Sequence, residues 1–117
     1  MAKQIIGAQG EITIIKVSEF PKGTTTKKAE RTAKGWIISH SESGHHHILT
    51  GGDVMERTDE RVPKGMQILY AILDTPEALI QDAQVPHGGY NLDAGLYEFR
   101  ISREFDPFLE QAHRVAD

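Results

Sequence analysis

The stretch from Gly95 to Phe105, GLYEFRISREF, alternates apolar and polar side chains with a period of two. In a strand successive side chains point to opposite faces, so Tyr97, Phe99 and Ile101 fall on one face and Glu98, Arg100 and Ser102 on the other. That pattern predicts a strand with one face on a core, and no segment of the chain offers a helix-length amphipathic pattern to compete with it.

The remaining segments are short and separated by turn residues. Glu11 to Val17, EITIIKV, is β-branched and apolar. Phe20 to Gly35 is polar with a cationic centre and no apolar period, which predicts an exposed loop or a mobile arm. Gly35 to His40, GWIISH, is a strand candidate led by the one tryptophan. His45 to Thr58 has the pattern of a hairpin, with Gly51-Gly52-Asp53 as its turn. Gly65 to Leu73, GMQILYAIL, is long enough for a central strand, though its period does not exclude a short buried helix. Glu77 to Ala83 is ambiguous, and His87 to Leu92 is a short strand or turn. The tail opens with Asp106-Pro107, which breaks a strand, and Phe108 to Arg114 could form a helical turn. Several short strands punctuated by turns predict a mainly β fold, a small antiparallel sandwich or barrel of jelly-roll or cupin type.

The chain has 117 residues, the length of one domain. Its 38% hydrophobic and 26% charged residues are ordinary for a globular protein. A net charge of −4 gives no electrostatic reason to expect nucleic acid. There is no cysteine, which removes disulfides, zinc–thiolate sites and cysteine nucleophiles. The N-terminus has no continuous apolar segment of the signal-peptide kind, and no stretch approaches the roughly 18 apolar residues of a spanning helix. A cytoplasmic protein is expected, and a virus-encoded protein acting inside a host cell would look the same.

The six histidines carry the chemistry. In Ser41-Glu42-Ser43-Gly44-His45-His46-His47, strand alternation puts His45 and His47 on one face and His46 on the other. Two imidazoles at i and i+2 can reach one metal ion, with a third ligand from elsewhere. His87, between Pro86 and Gly88-Gly89, is the first candidate and His40 the next. Glu42 could ligate or orient an imidazole. His46 and His113 are read as structural or bystander residues. An imidazole set suits zinc, nickel, iron or copper, and spacing does not choose among them. Ser39, Ser41 and Ser43 lie near His40 in sequence, but adjacency of that kind does not build a catalytic triad. GGD and HGG are too short for a phosphate loop.

Two resemblances follow from these residues. Gly44, His45 and His47, then His87, resemble the metal motifs of cupins. The first Glu after His47 is Glu56, however, and no P-x-G-x-x-H precedes His87. The chain also resembles a family of small uncharacterised bacterial and phage proteins, with a G-E-x-T-G-H-x-H segment, then H-E-E-H-x-x-I-x-L-x-x-G-x-Y, then Q-R-E-Y-x-P. Here Glu42, Gly44, His45 and His47 match the first segment. His87, Leu92, Gly95 and Tyr97 match the second, and Arg103, Glu104, Asp106 and Pro107 the third. The resemblance implies a metal site of His45, His47 and His87, and Gln84 stands where the family has a further histidine.

Three functions are therefore expected as alternatives. One is a binding or structural β-domain with a histidine metal site holding zinc, nickel or iron, of phage-related type. Another is a cupin-like metalloenzyme acting on a small molecule, in a barrel lined by Trp36, Tyr70, Tyr90 and Tyr97. The third is a metal-free phage assembly protein that docks through the 20–35 segment. Exposed sheet edges in so small a chain favour a homo-oligomer. No membrane partner is expected.

Overall fold

The computed structural model describes residues 3–40, 46–81 and 89–102. Within them the fold is two antiparallel sheets with no helix. The strands in chain order are β1 (Lys3–Gln9), β2 (Ile12–Val17), β3 (Thr26–Lys28), β4 (Arg31–Thr32), β5 (Gly35–Ser39), β6 (His47–Leu49), β7 (Asp53–Arg57), β8 (Met66–Leu73), β9 (Glu77–Gln81), β10 (Tyr90–Leu92) and β11 (Gly95–Ser102). The first sheet has the order β1-β2-β11-β8-β7-β3 and the second β10-β9-β6-β5-β4. The sheets face each other without closing into a barrel, so of the two predicted architectures the chain adopts the sandwich.

The core between the sheets is built as the alternation of β11 requires. Tyr97, Phe99 and Ile101 point inward with Ile12 and Ile14 of β2 and Leu69, Ala71 and Leu73 of β8. Trp36, Ile38, Leu49, Leu79 and Leu92 meet them from the second sheet. Burying one such side chain contributes roughly 1.5–3 kcal/mol. The first sheet buries side chains on its outer side too. Ile15, Ile68 and Tyr70 are buried there, and Phe20 stacks on Tyr70 with ring centroids 4.5 Å apart. Tyr70 is therefore not part of the interior lining expected for it, whereas Trp36 and Tyr97 are in the core and Tyr90 packs against it. Glu98, on the face of β11 opposite the core, is 1% exposed and accepts from Arg100 Nε at 2.6 Å, with Lys3 Nζ at 3.6 Å.

The 45–58 segment is not a hairpin. β6 lies in the second sheet and β7 in the first, so Gly51-Gly52 carries the chain from one sheet to the other. The reason lies on either side of the glycines: Leu49 and Val54 are both core residues, and a hairpin would leave them in one sheet instead of facing across the core. Gly52 has φ 86°, and a Cβ there would lie 2.7 Å from the Ile72 carbonyl oxygen. Its own carbonyl accepts the Trp36 indole N–H at 2.8 Å.

The 20–35 segment is largely exposed, and it carries β3 and β4. Thr26 to Lys28 extend the first sheet by pairing with β7, and Arg31–Thr32 extend the second by pairing with β5. Arg31 lies over the Trp36 ring at 4.8 Å. Glu77–Gln81, ambiguous in sequence, is a strand, and so is Met66–Leu73. None of the described residues forms a helix long and apolar enough to cross a membrane.

Candidate functional site

The site is assembled at the end of the sandwich where β1 turns into β2. Gln9 pairs with Ile12, leaving Gly10-Glu11 as a two-residue loop. Gly10 has φ 58°, and among the described residues, Glu11 included, no non-glycine residue has a positive φ, the signature of a type II′ hairpin turn. This turn carries Gln9 and Glu11 from the first sheet toward the second.

His47 opens β6 two residues before the core residue Leu49, so it faces inward as Leu49 does. It is 5% exposed. Opposite it in β5, the pairing slips by one residue between Ile37 and Ser39. A bulge of this kind lets consecutive side chains share a face. Ile38 enters the core, and Ser39, paired with His47, donates its hydroxyl to Glu11 Oε1.

The hydrogen bonds of Gln9 determine the state of the imidazole. Its amide nitrogen donates to the Leu79 carbonyl at 3.1 Å, which turns Oε1 toward His47 Nδ1 at 2.7 Å. A carboxamide oxygen only accepts, so Nδ1 carries the proton. Burial lowers the pKa of His47 below the ordinary histidine value, and the nearby Glu11 carboxylate offsets this only in part. The neutral ring therefore presents its lone pair at Nε2, and Glu11 Oε2 lies 4.0 Å from that atom. Gly10 also adjoins it, since a Cβ on Gly10 would sit 3.0 Å from Nε2. The absence of a side chain there keeps space beside the nitrogen.

The other histidines separate as follows. His46 and His40 meet edge to face, with ring centroids 4.6 Å apart, and His40 Nε2 lies 3.4 Å from Glu30 Oε1. His40, the reserve ligand candidate, thus has a different set of neighbours from His47. His46 Nδ1 is buried and has no hydrogen-bond partner among the described residues. His45, His87, Glu42, Gln84 and His113 lie outside the described residues, as do Arg103, Glu104, Asp106 and Pro107. Among the described residues no three His, Asp or Glu side chains gather closely enough to hold a metal ion by themselves. Beside Ser39 and His40 an open groove of about 330 Å³ is lined by Gly65, Met66, Gln67 and Ile101.

Sequence reasoning named His47 as a ligand candidate, weighed Ser39 only as a triad member, and did not single out Gln9 or Glu11. The available signal was Gly10-Glu11 between two apolar segments, a two-residue turn with Gly first. Nothing in the sequence says that this turn faces β6.

No curated protein and no solved structure matches the chain. A family model matches residues 8–102, which takes in the β1–β2 turn and β6 through β11. The chain belongs to the family described as Domain of unknown function (DUF8820).

Proposed function

We propose that this sandwich is a metal-binding module with a binding or structural role, built around His47 and taking a divalent transition metal such as zinc, nickel or iron. The observation that carries the reading is the Gln9–His47 bond: a carboxamide oxygen holds Nδ1–H at 2.7 Å and leaves Nε2 as a fixed lone-pair donor. Histidine ligands of metals are commonly held this way, with the non-ligating N–H tied to an oxygen that sets ring orientation and tautomer. His45, two residues before His47, and His87, two before Gly89, are the further donors by their place in the sequence.

The test is the metal content of untagged protein by plasma mass spectrometry, beside a His45→Ala/His47→Ala variant. Near-stoichiometric metal in the parent and none in the variant is the expected result. A parent that stays metal-free after loading with zinc, nickel and iron sinks the reading.

A further inference from the structure

We infer that Glu11 is a metal ligand, and that a divalent cation held between Glu11 and His47 staples the two sheets together at the end of the sandwich. The inference rests on the metal-binding reading above and adds a carboxylate donor from a part of the chain remote from the histidine cluster.

Three observations converge on it. First, two electron-rich atoms face each other: the Nε2 lone pair of His47 and Glu11 Oε2, 4.0 Å apart. In a site where the imidazole is 5% exposed, such a pair repels unless a proton or a cation lies between. Second, Glu11 is aimed. Its Oε1 accepts the Ser39 hydroxyl, and this bond leaves Oε2 turned toward the imidazole. Third, the neighbouring position is glycine, and a Cβ there would come to 3.0 Å from Nε2, inside the space an ion would use.

The spacing is workable. With metal–donor distances of about 2.0–2.2 Å, two donors of a tetrahedral ion stand about 3.4 Å apart. Glu11 is partly exposed at 30%, so its side chain can close the difference from 4.0 Å without disturbing the core. One imidazole and one carboxylate form a mixed nitrogen–oxygen set. It suits zinc, iron(II), nickel or manganese, and disfavours copper(I), which prefers sulfur ligands.

Glu11 lies in the turn between β1 and β2 of the first sheet, and His47 begins β6 of the second. An ion shared by them binds only when the sheets are docked, so it must stabilise the folded state.

The experiment is a zinc titration of the whole chain by competition with a chromophoric chelator, for the parent, Glu11→Gln and Ser39→Ala. Cobalt(II) absorption spectra and melting curves with and without zinc accompany it. Glu11→Gln should bind zinc about tenfold or more weakly, change the cobalt spectrum and lose most of the zinc-induced rise in Tm. Ser39→Ala removes the Ser39–Glu11 hydrogen bond, which a glutamine at 11 can still accept, but keeps the carboxylate, so it should retain more of the affinity than Glu11→Gln. Equal affinity in the parent and Glu11→Gln, with one cobalt spectrum, overturns the ligand role of Glu11 while the metal-binding reading stands. A greater loss in Ser39→Ala than in Glu11→Gln overturns it too, because the hydrogen bond and not the carboxylate would then carry the affinity. No binding by the parent overturns both readings.

Discussion

Gln9 and His47 are joined across the two sheets by a 2.7 Å hydrogen bond, and the other end of the same carboxamide is fixed to the Leu79 carbonyl of β9. Gln9→Leu removes the acceptor and leaves an N–H unpaired on a buried ring. The metal-free protein should lose about 1–3 kcal/mol in urea denaturation. Zinc affinity should also fall by about 10- to 100-fold, because the tautomer and ring orientation are no longer held. A variant with parental stability would show that the bond contributes nothing net.

The protonation of His47 gives a pH dependence. Burial lowers its folded pKa below the ordinary value of 6.5, so between the two values the unfolded chain binds the additional proton. Stability from this group is fully present above the ordinary histidine range and is lost as pH falls toward the folded value. In chelator-treated protein Tm should therefore decline as pH drops from 7 through 6. His47→Gln should flatten that slope, and an unchanged slope in the variant would assign the dependence to other groups.

Gly10→Ala tests the turn. A side chain at φ 58° costs about 1–3 kcal/mol, and its Cβ would press on His47 Nε2 from 3.0 Å. Chemical denaturation should show that loss, and zinc binding should weaken beyond what Gln9→Leu produces. Full zinc affinity in Gly10→Ala would mean that the space beside Nε2 is not used.

On the outer side of the first sheet, Arg100 and Lys3 share Glu98 unequally. Arg100 Nε is 2.6 Å from Oε2 and its side chain is 18% exposed, whereas Lys3 Nζ is 3.6 Å from Oε1 and 39% exposed. Arg100→Met leaves a buried carboxylate with one distant partner among the described residues, at a cost of about 3 kcal/mol. Lys3→Met removes a solvated partner and should cost under about 1 kcal/mol. Denaturation midpoints that reverse this order would refute the ranking.

Much of the fold was legible because it is written in local periodicity. β11 shows its alternation in the chain itself, and β2, β5 and β8 show short β-branched or aromatic character. β1 was not read, since KQIIGAQ has no clean alternation. The structure gives the reason: its pairing with β2 shifts between Ile5 and Gly7, which breaks the period of two. The 45–58 segment was misread because Gly51-Gly52 serves a hairpin and a sheet-to-sheet crossing equally well. Only the facing positions of Leu49 and Val54 distinguish them.

The sequence by itself determined that this chain forms short strands around an apolar core, that it has no thiol chemistry, and that it carries six histidines, three of them consecutive. Those properties are local, set by residue type and by period. Only the tertiary structure decided that the strands divide into two open sheets and that Glu98 is buried. It also decided that His47 meets Gln9, 38 residues away along the chain, and Glu11. The physical reason is that a hydrogen bond or a shared ion depends on where two backbones dock. In this sandwich that docking is fixed by the core packing of both sheets together, which no single segment encodes.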